Sequence, residues 1–470
     1  MAEEAPHART ESRAARKAAK EARNRKRLRI GIGVGLIAVS ATAVTAYAFG
    51  PDGSSGDEGD KKAGASGATA ANGKGAKANE KPWDGKTHVL GDGSTSYTGP
   101  QPGQLKPEKL KPGEKPPQFV VFSWDGALEG DDHLFSHFRE VARENKAHMT
   151  FFLTGIYLLP ESKRMLYSPP QHSQGSAAIS YPTVPHVKTT LEQLRGAWTD
   201  GNEIGSHFNG HFCGPKGGDD WSPEEWKSEI DQTYSFVKNW KTNTGFSKEA
   251  PLPFDPDREF VGGRAPCLEG QKNLITAIKP YGWRYDASSS GDFQLWPTKQ
   301  NDIWNFPLQL VPLQGKEKQV LSMDFNFLFN QSGDSTKGDP AKYPVWLEQT
   351  QKSYMNGFNR VFSGSRAPMY IGNHFEDWNG GIYMKAVEQF MKDVCTRDEV
   401  RCVSFRELAD WLDVQDPAVL ARLRSLDPAQ ATGVVCGAWE GLTREDSYLA
   451  ELVVGATSRL RGYERVQVST

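Results

Sequence analysis

Two histidines four positions apart, His207 and His211 in the run Glu203-Ile204-Gly205-Ser206-His207-Phe208-Asn209-Gly210-His211, have a spacing that suits a metal site. This spacing lets about one turn of backbone aim two imidazoles at a single cation. Two nitrogens hold a divalent ion weakly, so a third donor is wanted. Asp125, in Phe122-Ser123-Trp124-Asp125-Gly126-Ala127, stands where an apolar run ends, the place at which barrel enzymes carry catalytic side chains. On spacing alone, the competing reading is that each imidazole caps or hydrogen-bonds locally.

Further groups could complete a site. Arg264, in Arg264-Ala265-Pro266, would lower the pKa of a lone carboxylate and orient it; the alternative is a surface arginine on a loop. His374 closes Gly372-Asn373-His374 and is either a proton donor or a satisfied core histidine. Trp296 could stack on a sugar ring or belong to the core. Asp131 or Asp132, a few residues past the Asp125 motif, could supply the missing donor. His133, His137, His148, His172 and His186 read as structural or exposed.

These side chains need elements to hold them. Apolar runs at 119–122 and 148–153 read as strands, and apolar residues recur with helical spacing over 134–144, 189–199, 223–241 and 271–279. The alternation argues for an α/β fold, a barrel or a layered sheet, over one domain at 118–412. With 37% hydrophobic and 24% charged residues and a net charge of -2, the chain can bury a large core and is neither disordered nor polybasic. It has no global field for nucleic acid, and no nucleic-acid partner is expected.

Both flanks differ from this domain. Ten Lys or Arg residues lie between Arg9 and Arg29, and residues 30–49 then carry no charge. At about 1.5 Å per residue such a run covers the ~30 Å hydrocarbon core of a bilayer. We read 1–29 as a basic cytoplasmic segment and 30–49 as a single transmembrane helix, which places the domain outside the cell membrane. Ala46-Tyr47-Ala48 keeps open a cleaved signal and secretion, and a buried soluble helix is the third possibility. Residues 50–117, rich in Gly, Ser, Lys and Pro, read as a flexible linker, and 413–470 as a C-terminal extension without chemistry of its own.

Outside the cell, disulfides persist. Cys395 with Cys402 would close a short loop worth about 2–3 kcal/mol, and Cys213 with Cys267 a longer one worth about 4 kcal/mol. Cys436 is left over. A thiolate metal site competes with this pairing, but the sequence contains no C-x-x-C.

The order of the motifs carries more information than any one of them. Ser123-Trp124-Asp125, Thr150-Phe151-Phe152, the His207/His211 pair, Arg264-Ala265-Pro266, Tyr285-Asp286-Ala287-Ser288 and Gly372-Asn373-His374 follow one another along the domain. This series resembles the polysaccharide deacetylases of carbohydrate esterase family 4, and more closely their chitin deacetylase-like branch, over residues 119–411. The resemblance implies a distorted (β/α) barrel and a divalent metal, commonly zinc, used to hydrolyse N- or O-acetyl groups on sugars. It implies that His207 and His211 bind the metal, that Arg264 lies beside the catalytic base, that His374 is the general acid, and that Asp286 walls and supports the site. The implied substrate is an acetylated polysaccharide, chitin-like or peptidoglycan-like, in or near a cell wall.

One departure stands out. The family's first motif reads Thr-Phe-Asp-Asp, with the first Asp as base and the second as metal ligand. Aligned on Ser123-Trp124-Asp125-Gly126, Asp125 becomes the base and Gly126 occupies the ligand position. Shifted by one residue, Asp125 becomes the ligand and Trp124 replaces the base. Either way one carboxylate is missing. The expected function is therefore membrane-anchored, metal-dependent deacetylation of an extracytoplasmic glycan, with a catalytically weakened glycan-binding domain as the alternative. Zinc suits two imidazoles and a carboxylate, as do cobalt, nickel and iron.

Overall fold

The structure is a computed structural model, and residues 83–426 are described. The expected basic segment at 1–29 and transmembrane segment at 30–49, residues 50–82 of the linker, and residues 427–470 with Cys436 lie outside them. Among the described residues no helix is long and apolar enough to cross a membrane.

Nine strands form a curled, mostly parallel sheet: β3 (Gln118–Gly126), β4 (Thr150–Leu153), β5 (Glu203–Ser206), β6 (Gly262–Gly263), β7 (Tyr285–Asp286), β8 (Thr298–Gln300), β9 (Ile303–Asn305), β12 (Met369–His374) and β13 (Val400–Cys402). The order is β12-β3-β4-β5-β6-β7-β9-β8, with β13 also on β3 and only β8–β9 antiparallel. The hairpins β1 (His88–Leu90) with β2 (Thr95–Tyr97), and β10 (Leu310–Pro312) with β11 (Gln319–Leu321), stand apart. The chain after β9 returns to β12 at the sheet's other end: the Gln309 side chain bonds both the Tyr370 carbonyl (2.6 Å) and its N–H (3.0 Å), and Gly372 N–H donates to the Ser322 carbonyl (2.9 Å).

The principal helices are α1 (Leu134–Glu144), α2 (Val184–Thr199), α3 (Pro223–Lys238), α4 (Trp240–Thr244), α5 (Pro256–Glu259), α6 (Gln271–Ile278), α7 (Asp324–Ser332), α8 (Tyr343–Phe362), α9 (Trp378–Val394), α10 (Phe405–Asp413) and α11 (Pro417–Arg424). Local chemistry explains several starts. Ser222 before α3 and Ser404 before α10 each form a reciprocal cap with a glutamate three residues on, Glu225 and Glu407, and Pro223 takes the first helical position, where its missing N–H costs nothing.

β3 is buried along its whole length, and its period-2 alternation divides the core. Val120, Phe122 and Trp124 face the helices, where Phe122 meets Phe390 of α9 and Trp124 meets Phe138 of α1. Phe119 and Val121 face the opposite cluster, with Tyr285, Phe306, Tyr370 and Phe405.

Two boundaries differ from the sequence reading. The part of the linker from residue 83 onward is packed, not free: Ser94, Thr95 and Ser96 are buried, Leu252 exchanges backbone hydrogen bonds with Ser94 and Ser96, and Trp240 Nε1 donates to the Ser94 carbonyl (2.5 Å). The polar, glycine-rich composition concealed a short hairpin whose partners lie some 150 positions away. At the other end the fold continues past 412, because α11 buries Val419, Leu420 and Leu423 in the same cluster as Trp411.

Chains beginning at residue 83 and at residue 118 test the first boundary. At about 1 kcal/mol net per buried hydrogen bond, the shorter chain should be less stable by at least about 3 kcal/mol in urea denaturation; equal midpoints would contradict the docked hairpin.

Candidate active site

The parallel strands bring the candidate residues to one end. Asp125 sits at the C-terminal end of β3, directly across the ladder from His374 at the end of β12. His207 follows β5 by one residue and Arg264 follows β6 by one residue. In parallel sheets this end is where ligands and catalytic groups gather.

Arg264 connects two of them. Its Nη1 donates to Asp125 Oδ1 (2.9 Å) and to Ser123 Oγ (2.8 Å), its Nε donates to the Ala287 carbonyl (3.1 Å), and the guanidinium lies 4.9 Å from the Phe152 ring centroid. The side chain is fully buried, and Asp125 is 8% exposed. Burial pushes the Asp125 carboxyl up, but the charge of Arg264, with that of His374 added, outweighs it and holds the group below the usual carboxylate range. Asp125 is therefore a fixed anion. The Arg264 carbonyl in turn accepts a hydrogen bond from His207 Nδ1 (2.7 Å).

That bond sets the His207 tautomer. A carbonyl can only accept, so Nδ1 carries the proton and Nε2 the lone pair. Nε2 is buried and, among the described residues, has no hydrogen-bond partner. Burial drives the imidazole down to about 3, against the pull of Asp125, so the ring is neutral at ordinary pH. His211 is also pushed down by burial. The two ring centroids lie 5.3 Å apart at 58°. Two imidazoles sharing one tetrahedral zinc at ~2.1 Å from each nitrogen would stand about 5 Å apart, and metal-bound histidines typically donate their other N–H to a carbonyl or carboxylate. The ring spacing fits a divalent metal, and His207 meets the second condition as well. The third donor is less settled: among the described residues, His207, His211 and Asp125 do not bring their donor atoms within 4.8 Å of one another, whereas His211, Cys213 and Cys267 do. The sulfurs of that second set are joined to each other, so they offer no thiolate.

His374 is built differently. Its Nδ1 bonds Asp324 Oδ1 (2.8 Å), and its backbone N–H donates to Asp324 Oδ2 (2.6 Å). Burial pushes the imidazole down, but the buried Asp324 carboxylate, helped by Asp125 and Glu376, overrides this and raises it to about 9. The side chain is 24% exposed, so a charged imidazolium stays within reach of solvent. Asp286 lies deeper: it accepts hydrogen bonds from Ser288 Oγ (2.6 Å) and Gln271 Nε2 (2.6 Å), and Ser288 Oγ accepts from the Ala265 N–H (2.8 Å). Its link to the site thus runs through the backbone beside Arg264.

The imidazole loop is held from below. Phe208 and His211 adopt left-handed backbone angles (φ 56° and 55°), as do Cys267 and Leu268 (both 58°) in the loop after Arg264, a conformation that costs non-glycine residues energy. Two devices fix it. The expected Cys213–Cys267 disulfide joins the two loops, while Cys395–Cys402 closes the short loop elsewhere. Buried Glu229 accepts hydrogen bonds from Asn209 Nδ2 (2.9 Å) and Tyr167 Oη (2.8 Å).

Asp324, Glu229 and Asn209 escaped the sequence reading. Asp324 opens α7 some fifty positions before its partner, and no local pattern announces it. Of the alternatives to Asp125, Asp131 is exposed and pairs with His186. Trp296 is a core residue: it is buried, packs on Trp411 and donates Nε1–H to the Ser365 carbonyl (2.9 Å).

No family model matches the sequence, and no curated protein does. Solved structures do. A Mycobacterium smegmatis protein assigned as a polysaccharide deacetylase is 14% identical, covers 65% of this chain and 94% of its own, and superposes with a TM-score of 0.38. The Xyl-CE4 domain of a multidomain xylanase from the hindgut metagenome of Trinervitermes trinervoides is 14% identical over 63% and 92%, with a TM-score of 0.33. A family 4 pseudoenzyme from Bacillus anthracis is 10% identical over 65% and 70%, also at 0.33. The chain is similar in structure to polysaccharide deacetylases of carbohydrate esterase family 4.

Burial raises Glu229 to about 7, against the hydrogen bonds that favour its anion. A folded-state pKa above the unfolded value of about 4.3 means that the native state prefers the proton; stability is full below pH ~4.3 and falls as pH rises toward 7, by about 3 kcal/mol. In urea denaturation at pH 5 and pH 8, Glu229→Gln should lose most of this difference. A pH dependence unchanged in the variant would contradict the assignment.

Proposed function

We propose that this chain is a metal-dependent polysaccharide deacetylase that hydrolyses acetyl groups, chiefly N-acetyl, from an extracytoplasmic glycan of chitin-like or peptidoglycan-like chemistry. The observation that carries the reading is the convergence of a buried Asp125–Arg264 pair, two neutral imidazoles and an imidazolium–carboxylate couple at one end of a parallel sheet.

Amide hydrolysis needs an activated water, a base for its proton, stabilisation of the developing oxyanion and an acid for the leaving amine. His207 and His211 would hold the divalent ion, with zinc the expected one, and when bound it supplies Lewis-acid polarisation and a lowered water pKa. Asp125, ionised and oriented by Arg264, accepts the proton of the attacking water. Its depressed pKa makes it a weak base, so turnover is expected to be modest. His374, held in one tautomer by Asp324, donates a proton to the departing nitrogen. Asp286 keeps the Arg264 loop in place through Ser288.

The second reading, a glycan-binding domain with little hydrolysis, is favoured by Gly126, which leaves one carboxylate fewer than two-acid chemistry uses. For location, we propose a single-pass anchor at 30–49 with the domain outside the cell, or secretion if that segment is cleaved. The two disulfides support an oxidising compartment.

Acetate release from chitin oligomers with added zinc separates the readings. Asp125→Ala and His207→Ala should each cut the rate by at least about 100-fold; a parent chain that retains glycan yet releases no more acetate than these variants is a binding protein. The pH profile tests His374: the rate should fall as pH rises through about 9, where the acid loses its proton. His374→Ala should lower kcat by about 10²–10⁴-fold and abolish this limb. Survival of the limb in the variant would assign it to another group.

A further inference from the structure

The missing carboxylate leaves a position with its own structure. Gly126 ends β3 with φ +102°, an angle that L side chains rarely adopt, and its carbonyl accepts from the Thr154 N–H (3.0 Å). A Cβ placed there would lie 3.2 Å from Cε2 and 3.8 Å from Oη of Tyr157. An aspartate at 126 would therefore be strained in its backbone and would run into this phenol. The space is taken.

Tyr157 belongs to a single helical turn, Gly155–Leu158, just beyond the end of β4. That turn is tied to the imidazole loop, because the Gly155 N–H donates to the Phe208 carbonyl (2.6 Å), and to its own strand end, because the Tyr157 N–H donates to the Thr154 carbonyl (3.0 Å). On one side the ring meets Gly126, the neighbour of Asp125. On the other, the hydroxyl feels the charge of Glu376, two residues past His374. Tyr157 thus lies against the residue that follows Asp125, on a turn tied to the loop that carries His207 and His211.

We propose that the Tyr157 hydroxyl is a catalytic hydrogen-bond donor to the acyl oxygen of the substrate, standing in the space that a carboxylate side chain at position 126 would need. The inference rests on the deacetylase reading and deepens it. A phenol in this place can stabilise charge that develops on the acyl oxygen, which an acidic side chain cannot do without first being protonated. No proton is transferred: the hydroxyl stays intact and only its hydrogen bond strengthens as the oxygen becomes negative. Burial, with the Glu376 charge added, pushes the phenol up to about 12, so the donor proton is retained at working pH.

Tyr157→Phe in the full chain keeps the ring and removes only the hydroxyl. Three readouts apply: kcat and KM for acetate release from chitin oligomers, Kd for a methylphosphonate-bearing glucosamine analogue of the tetrahedral intermediate, and zinc content with Tm. Loss of an oxyanion donor should lower kcat by about 10²–10³-fold and weaken analogue binding to a similar degree, with KM within about twofold and zinc content and Tm unchanged. An active parent chain whose variant matches it in kcat and in analogue Kd overturns the proposal and leaves the deacetylase reading intact. Zinc lost from the variant moves the hydroxyl to the metal and overturns the donor role. A parent chain that releases no acetate from any acetylated glycan fails at the deacetylase reading itself, and the donor role falls with it.

Discussion

The hydrogen-bonded pair of Arg264 and Asp125 is the interaction on which the site is built. One residue serves two neighbours: the guanidinium fixes the Asp125 carboxylate while the carbonyl of the same residue fixes the His207 tautomer. Both charges are withdrawn from water, and a buried pair of this kind contributes little net stability, although removing one partner strands the other at a cost of about 3–5 kcal/mol. The pair therefore specifies a geometry more than it stabilises a fold. Ser123, the Ala287 carbonyl and the Phe152 face complete the surroundings of the guanidinium, and Asp286 steadies its loop through Ser288.

Around this pair the electrostatics set the three imidazoles apart without moving any group. The three histidines of the site diverge, because only His374 has a carboxylate bonded to its ring. His207 and His211 lose their charge to desolvation and become ligand-like; His374 keeps its charge and becomes acid-like. The strained loops that present His211 and follow Arg264 are held by a covalent link and by a buried carboxylate network, so the cost of the left-handed backbone is borne away from the reacting groups.

Much of this was legible in the residues. α1 was readable to the residue, since its apolar positions follow helical spacing and no competing signal interrupts them. α3 was readable at its start, where Pro223 follows a capping serine, but ran three residues short of expectation because the chain turns at Asn239. The two disulfides followed from loop lengths. The His207/His211 pair was visible because both imidazoles lie in one short loop, whereas Asp324 and Tyr157 were not, because each meets its partner only when distant strands align. The β1–β2 hairpin was hidden for a related reason: its strands are three residues long and its polar side chains are buried by bonding to a distant backbone, which no local hydrophobic pattern records. Trp296 shows the converse case, an aromatic residue that composition leaves open between groove and core and that the structure places in the core.

The central claim is that His207 and His211 share one cation through nitrogen. X-ray absorption at the zinc edge of the zinc-loaded chain tests it most directly. The account predicts two imidazole nitrogens and the remaining ligands oxygen, at about 2.0–2.2 Å, with the nitrogen signal lost in a His207→Ala chain. A shell containing sulfur at about 2.3 Å, or a spectrum unchanged by that substitution, would contradict it.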